Sequence, residues 1–336
     1  ALNGVKEALL KCRGMFAIAL WDKNEKTLIL ARDRIGEKPL YYSNINGKFI
    51  FASELKSIKA IPNINLEIDK YSLSMMLRYG YIPAPNSIYK NVYKLPPGTL
   101  LVIKKGDFFH KPITWWDFSE KIINQSEPNF DLKEDEIIEN LDILLSSAVK
   151  EQMIADVPVG VLLSGGIDSS LITFLMQKNS RKPINSFTVS FEEKEYNEAN
   201  YAKSISKYLG TNHNDLRVQP EDALDIIPNL PEFYDEPFGD SSQIPTSLIC
   251  KLTRQHVKVC LTGDAGDEFF GGYNRYFWVN LIWKNFGWIP VSFRSPLFKF
   301  LKFIPAVYWN KILNLNINNI GDKIHKLSEV ISAKNK

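Results

Sequence analysis

Cysteine and histidine are scarce in this sequence: 336 residues hold 3 cysteines, Cys12, Cys250 and Cys260, and 4 histidines. The cysteines are too few and too scattered for a disulfide framework and form no C-x-x-C pair, which fits a reducing cytoplasm. Four histidines give little material for a histidine-rich metal site. A strong charge of either sign is also missing, since 41 Lys+Arg stand against 38 Asp+Glu for a net charge of +3. That balance points to neither nucleic acid nor an acidic surface as partner. No apolar run is long enough to cross a bilayer. Residues 277–315 are rich in Trp, Phe, Ile and Leu, but Lys284, Pro290, Arg294, Pro296, Lys299, Lys302 and Pro305 break every run. They read as a helical core segment, with no membrane partner. No signal peptide is visible, and the Gly-Lys-Ser/Thr spacing of a Walker loop is absent.

What remains is ordinary globular material, 45% hydrophobic and 24% charged, long enough for about two domains. Ala1 to Leu10 read as the end of a helix. Residues 14–53 read as antiparallel strands: Met15–Trp21, Thr27–Arg32, and a hairpin of Leu40–Tyr42 and Phe49–Ala52 around Asn46-Gly47. Thr99–Ile103 makes another strand. The polar stretch Ser119–Asp135 has little periodicity and marks a domain boundary. Ile137, Ile138, Leu141, Leu144, Leu145, Ala148 and Val149 then recur at helical spacing. Beyond them strand and helix alternate: strands Val157–Leu163, Ile184–Phe191, Leu216–Val218 and Val257–Leu261, with helices near 169–178, 197–209, 221–228 and 243–255. Such alternation predicts a doubly wound parallel sheet with ligands at the carboxyl ends of its strands.

The most informative segment is Ser164-Gly165-Gly166-Ile167-Asp168-Ser169-Ser170. It joins a buried strand to a helix N-terminus, where unpaired backbone N–H groups and the helix dipole favour an anion. The glycines let backbone approach a phosphate, and the serines add hydroxyl donors. Asp168 would repel a phosphate unless it holds a bridging Mg²⁺. The segment resembles the S-G-G-x-D-S-S pyrophosphate loop of enzymes that split ATP into AMP and pyrophosphate. A second loop, Thr262-Gly263-Asp264-Ala265-Gly266-Asp267-Glu268-Phe269-Phe270-Gly271-Gly272-Tyr273, also follows a strand and is rich in Gly and carboxylate. Alone it could be a solvated acidic loop. Paired with the first, it lets Asp168 and Asp267 supply one carboxylate each to Mg²⁺, a cation that takes few protein carboxylates.

Both loops together resemble the synthetase domain of glutamine-hydrolysing asparagine synthetase. Asp235-Glu236-Pro237-Phe238-Gly239-Asp240-Ser241-Ser242 resembles that family's D-E-P-x-x-D-S-S stretch. Arg13–Ala17, Arg32–Tyr42 and Phe51–Lys56 are similar to the later half of its glutaminase domain. The resemblance implies an α/β fold in two parts. Residues 1–120 are the C-terminal half of a class II, Ntn-type glutaminase α+β sandwich, 121–135 a linker, and 136–336 a doubly wound ATP-pyrophosphatase domain, incomplete at its C-terminus.

The implied activity is that of a carbon–nitrogen ligase. ATP adenylates the side-chain carboxylate of aspartate, ammonia derived from glutamine attacks, and asparagine, AMP and pyrophosphate leave. Carried over, Ser164, Gly165, Gly166, Asp168, Ser169 and Ser170 bind pyrophosphate, Leu162 and Val189 contact adenine, and Thr262 and Gly263 contact the nucleotide. Asp168 and Asp267 carry Mg²⁺, and Asp264 is the candidate for handling ammonia or the acyl-adenylate. ATP and Mg²⁺ are the implied cofactors, and the partners are small molecules: aspartate, ATP, and glutamine or ammonia. A homodimer is compatible with the family. Position 1 is Ala, where the family's glutaminase uses an N-terminal Cys thiolate. The family's glutamine-holding segments also lack counterparts. The expectation is a piece of a longer enzyme, one that does not hydrolyse glutamine by itself. A lactam-forming or peptide-cyclising synthetase, a related amidotransferase and a non-catalytic ATP-binding remnant stay open beside the main reading.

Overall fold

The computed structural model describes residues 4–106, 111–123, 132–190, 198–313 and 320–332. The chain divides into two compact units, Ala1–Gly166 with Ser170–Thr262, and Ile167–Ser169 with Gly263–Lys336.

The first unit opens with helix α1 (Val5–Lys11) and strands β1 (Ala17–Asp22), β2 (Thr27–Arg32), β3 (Tyr41–Ile45) and β4 (Lys48–Ala52). Helices α2 (Leu55–Lys59) and α3 (Lys70–Tyr79), strands β5 (Val92–Lys94), β6 (Thr99–Lys104) and β7 (Ile113–Thr114), and helix α4 (Phe118–Ile123) follow. Two antiparallel sheets result, ordered β1-β2-β6-β7 and β4-β3-β5. The β3–β4 turn holds Asn46 at φ 54° and Gly47 at φ 72°, the left-handed pair that a tight hairpin of this twist demands.

Alternation along the strands sends side chains to opposite faces, and the buried clusters show where each face goes. Leu30, Leu101 and Ile103 of one sheet meet Tyr42 of the other, with Leu40 and Leu95. The far face of the first sheet, Ala31 and Leu100, packs on Leu9 of α1 and on Trp115. The far face of the second, Tyr41 and Val92, packs on Leu55 and Ile58 of α2. The order is helix, sheet, sheet, helix, the expected α+β sandwich.

The Arg-Asp-Arg motif closes this sandwich through backbone groups. Arg32 donates to the carbonyls of Gly36, Lys38 and Leu95. Asp33, only 1% exposed, accepts from the N–H groups of Phe16, Glu37 and Lys38. Gly36, at φ 73°, faces Pro97 so closely that a Cβ would stand 2.8 Å from its Cγ.

After α5 (Glu134–Gln152) come β8 (Val159–Leu162), α6 (Ile167–Lys178), β9 (Asn185–Ser190), α7 (Ala199–Leu209) and β10 (Asn212–Arg217). Helices α8 (Pro220–Ile226), α9 (Leu230–Phe233) and α10 (Gln243–Thr253) then lead to β11 (Val259–Leu261). The sheet order is β10-β9-β8-β11, and every pair is parallel. The chain builds outward from β8 to β9 and β10, then returns to the other side of β8. That reversal makes the β8–β11 junction a topological switch point. Gly160 in β8 has no room for a side chain, because a Cβ there would meet the Phe187 ring at 2.6 Å.

Some elements differ from the sequence expectation. Strand β10 starts at Asn212, four residues before the expected Leu216, because Asn212-His213-Asn214-Asp215 is polar. As an edge strand with only partly buried positions, β10 tolerates that polarity. The polar stretch 119–135 lies partly in α4, and residues 124–131 fall outside the described residues. Helix α5 runs as expected, but Ile137, Ile138 and Leu144 stay exposed, while Leu145 and Val149 reach the parallel-sheet core.

In the second unit the described helices are α11 (Gly266–Phe270), α12 (Asn274–Phe286), α13 (Val291–Phe300), α14 (Ala306–Leu313) and α15 (Ile320–Ser332). The expected helical segment 277–315 is largely helical through residue 313, and 314–315 lie outside the described residues. It is not a core, however: Trp288, Phe293 and Phe303 stand 78%, 73% and 81% exposed. Helix α12 carries aromatic residues all round, so no single face can bury them. Among the described residues no helix is long and apolar enough to cross a membrane.

Candidate functional site

Two loops follow the paired strands β8 and β11, whose register aligns Cys260 with Gly160 and Leu261 with Val161. The first is fixed at its base. The Leu163 N–H donates to the Phe187 carbonyl at 2.8 Å, and the buried Thr188 hydroxyl donates to the Leu163 carbonyl. Ser164 then turns the chain, its Oγ accepting from the Gly166 N–H at 3.2 Å. Gly165 lies at φ 93°, and a Cβ on it would stand 2.8 Å from Tyr201 Cβ and 3.0 Å from the Ala202 nitrogen. Its glycine requirement therefore comes from packing on α7 as well as from backbone conformation.

Gly166 is the N-cap of α6, and no side chain caps that helix. The positive end of the helix dipole at this helix start suits an anion. Asp168 sits second in the helix, half-buried, with Ser169 buried beside it. The Ser170 hydroxyl turns back to the Gly166 carbonyl at 2.6 Å. Leu162 and Val189, half-buried, lie in the adjacent strands β8 and β9.

Within the second unit the structure brings Asp168 and Ser169 against the second loop. A Cβ on Gly263 would stand 2.6 Å from the Ser169 nitrogen and 2.9 Å from the Asp168 carbonyl carbon. A Cβ on Gly266 would meet the Asp168 carboxylate at 2.5–2.8 Å. Between them Ala265 holds φ 71°, a left-handed conformation that costs a non-glycine residue about 1–3 kcal/mol. That bend puts Asp267 in the first turn of α11, directly after the glycine that faces Asp168. Gly272 is as constrained as Gly266, since its Cβ would overlap Asp267 Oδ1. Tyr273 donates its hydroxyl to Glu268, drawing one of the loop's carboxylates aside. Asp264 is exposed.

Asp168 and Asp267 could hold a divalent cation, and a two-carboxylate set suits Mg²⁺, which usually keeps several waters. Among the described residues no group of three or more His, Cys, Asp or Glu could hold a metal. Just before the loop, burial pushes the Cys260 thiol up to about 11, against a weaker opposing hydrogen bond with Thr253. This cysteine packs beside the strand end as a protonated thiol.

Sequence reasoning named the loop residues but missed what shapes them: Thr188, Tyr201 and Ala202 on the first loop, and the closeness of Gly266 to Asp168. A glycine inside an acidic turn was the one visible signal for the last.

Residues 140–336 match the family described as Asparagine synthase, and residues 2–116 match the Glutamine amidotransferase domain. The chain is 36% identical over 272 residues to Asparagine synthetase (glutamine-hydrolyzing) 1 of Bacillus subtilis (strain 168), covering 81% of this chain and 41% of that protein. It is 33% identical over 278 residues to Asparagine synthetase (glutamine-hydrolyzing) 2 of the same organism, covering 78% of this chain and 36% of that one. It is 29% identical over 282 residues to Amidase chry2 of Gibberella zeae, covering 79% and 40%. The chain spans less than half the length of each of these relatives. With the family match covering more than half of its residues, the chain belongs to the asparagine synthase family.

Proposed function

We propose that this chain carries the aspartate-activating part of a glutamine-dependent asparagine synthetase. In this reading residues 1–120 are the later half of a glutaminase domain, 121–135 a linker and 136–336 the ATP-pyrophosphatase domain. An oxygen of the aspartate side-chain carboxylate attacks the α-phosphorus of ATP, and pyrophosphate leaves with the electron pair of the broken P–O bond. Ammonia then attacks the acyl carbon of the adenylate, AMP departs, and the nitrogen loses a proton to give asparagine.

Ser164, Gly165, Gly166, Ser169 and Ser170 hold the pyrophosphate through backbone N–H and hydroxyl donors, the Ser170 hydroxyl turning to it from the Gly166 carbonyl. Leu162 and Val189 contact adenine, and Thr262 and Gly263 contact the nucleotide. Asp168 and Asp267 hold Mg²⁺, which when bound neutralises charge gathering on the leaving pyrophosphate. Asp264, exposed in the same loop, handles ammonia or the acyl-adenylate.

The observation that carries this reading is the fit of Gly263 and Gly266 around Asp168. Gly266 leaves the Asp168 carboxylate space that a side chain would fill, and Gly263 lets the backbone of Asp168 and Ser169 come close to the acidic loop. The test is exchange of labelled pyrophosphate into ATP, with and without aspartate and Mg²⁺. Exchange that needs both supports the proposal. Exchange without aspartate redirects it to another carboxylate substrate, and no exchange refutes ATP activation by this chain.

A further inference from the structure

Asp235 and Glu236, in the stretch between α9 and α10, make contacts that the proposed chemistry does not use. Asp235 Oδ2 accepts from the Leu55 N–H at 2.6 Å, and Oδ1 accepts from the Lys56 N–H at 3.2 Å. The α2 N-cap residue, Glu54, gives no side-chain cap. The start of α2 is thus capped from 180 residues away. Glu236 Oε1 accepts from the Ile88 N–H at 2.7 Å, while its other oxygen pairs with Lys94. Burial, and then the charges of Glu236 and Asp235, push the Tyr41 hydroxyl well above its ordinary value, which places this tyrosine beside the pair. Lys94 reaches on to the Ile82 carbonyl at 2.7 Å. The Gly239 N–H donates to the Gly80 carbonyl at 2.6 Å, with the two glycine backbones in close approach. The two carboxylate side chains are 11% and 12% exposed. Every partner lies in residues 41–94, inside the amidotransferase-matching part, while the carboxylates belong to the synthase-matching part.

From these carboxylates a continuous set of contacts runs to the proposed nucleotide end. The Tyr234 hydroxyl bonds both the Gln243 carbonyl at 3.1 Å and Ser247 Oγ at 3.0 Å, and its ring meets Phe238 edge-on at 4.8 Å. Residues 234–243 therefore close as a loop onto the first turns of α10. Ile244, Leu248 and Leu252 of α10 pack in one cluster with Val189, the proposed adenine contact on β9. Charge-assisted bonds at one end and packed apolar contacts at the other can carry a change in restraint between sites.

We propose that Asp235 and Glu236 form a latch that carries nucleotide occupancy at Val189, by way of α10, to the backbone of α2 and residue 88 in the amidotransferase-type half. The latch rests on the nucleotide reading given above. Both residues are positioning residues, since neither touches a reacting atom.

The test is residue-resolved amide hydrogen exchange on the full chain, with and without Mg²⁺ and the α,β-methylene analogue of ATP, with analogue binding measured separately by calorimetry. Binding should slow exchange at Leu55, Lys56 and Ile88 by about 5- to 150-fold, the usual span of coupling between sites, and leave Leu101 in β6 unchanged. Asp235→Asn and Glu236→Gln should bind the analogue as before but lose the slowing. Wild type that binds the analogue with no change at these amides overturns the latch, as does equal slowing at Leu101. Variants that keep the full response overturn it too. Absence of analogue binding overturns the nucleotide reading itself, a distinct result that takes the latch with it. The wild-type comparison decides alone if a variant fails to fold.

Discussion

Gly266 lies against the carboxylate of Asp168, and a Cβ at 266 would stand 2.5 Å from its Cγ. Gly263 presses instead on the backbone of Asp168 and Ser169. The two glycines should therefore respond differently to the same methyl group. In Gly266→Ala the obstacle is a carboxylate that can rotate away, so the fold persists and the carboxylate is misplaced. The expected outcome is a fall in pyrophosphate exchange of about 10²–10³-fold with an almost unchanged melting temperature. In Gly263→Ala the obstacle is backbone that cannot rotate away, and the expected cost is about 1–3 kcal/mol of stability. Paired denaturation and exchange assays check both, and equal behaviour of the two variants would count against this account.

Asp168→Asn is nearly isosteric and removes one charge. It should keep the circular dichroism spectrum and lose Mg²⁺-dependent exchange by about 10²–10³-fold, as for other lost charge-stabilising groups. Retained exchange in this variant sinks the metal assignment.

Cys260 should be slow to alkylate. Burial pushes its thiol up to about 11, so at pH 8 the reactive thiolate is about a thousandth of the population. Iodoacetamide followed by peptide mapping should find Cys260 protected in the native protein and labelled after denaturation. Native labelling as fast as in the denatured chain contradicts the burial argument.

His213 gives a pH dependence of stability. Its Nδ1 meets the Ser186 hydroxyl at 3.1 Å, and its buried Nε2 has no hydrogen-bond partner among the described residues. Desolvation lowers its pKa below 6.5, opposed by Asp215 and aided by Lys203. Below pH 6.5 the unfolded chain then binds more protons than the folded one, so this contribution to stability is full above that pH and lost on acidification. The urea midpoint should fall between pH 7.5 and 5.5, and His213→Gln should flatten that fall. An unaltered slope in the variant would assign the effect elsewhere.

What was legible in the sequence was local. Asn46-Gly47 announces its hairpin because both residues accept positive φ. Ser164 to Ser170 announces a strand–turn–helix junction because glycine, serine and apolar positions fall in the order that junction needs. The partners of Asp235 were not legible: the nearest lies 179 residues away, and no spacing rule connects an acidic dipeptide to the start of a distant helix. The role of 277–315 was half legible. Apolar content predicts helices well, yet Trp288 and Phe303 point to solvent, because composition does not say which face finds a neighbour.

The bonding of Arg32 and Asp33 bears on how relatives of this chain should be sorted. Three guanidinium bonds and three carboxylate bonds in that motif all end on main-chain atoms. A protein that had lost every catalytic group could keep those six bonds, because they serve only the closure of the sandwich. Possession of Arg-Asp-Arg-x-Gly-x-Lys-Pro therefore identifies an ancestry and a shape, and a survey for active members should score the loops after β8 and β11 instead.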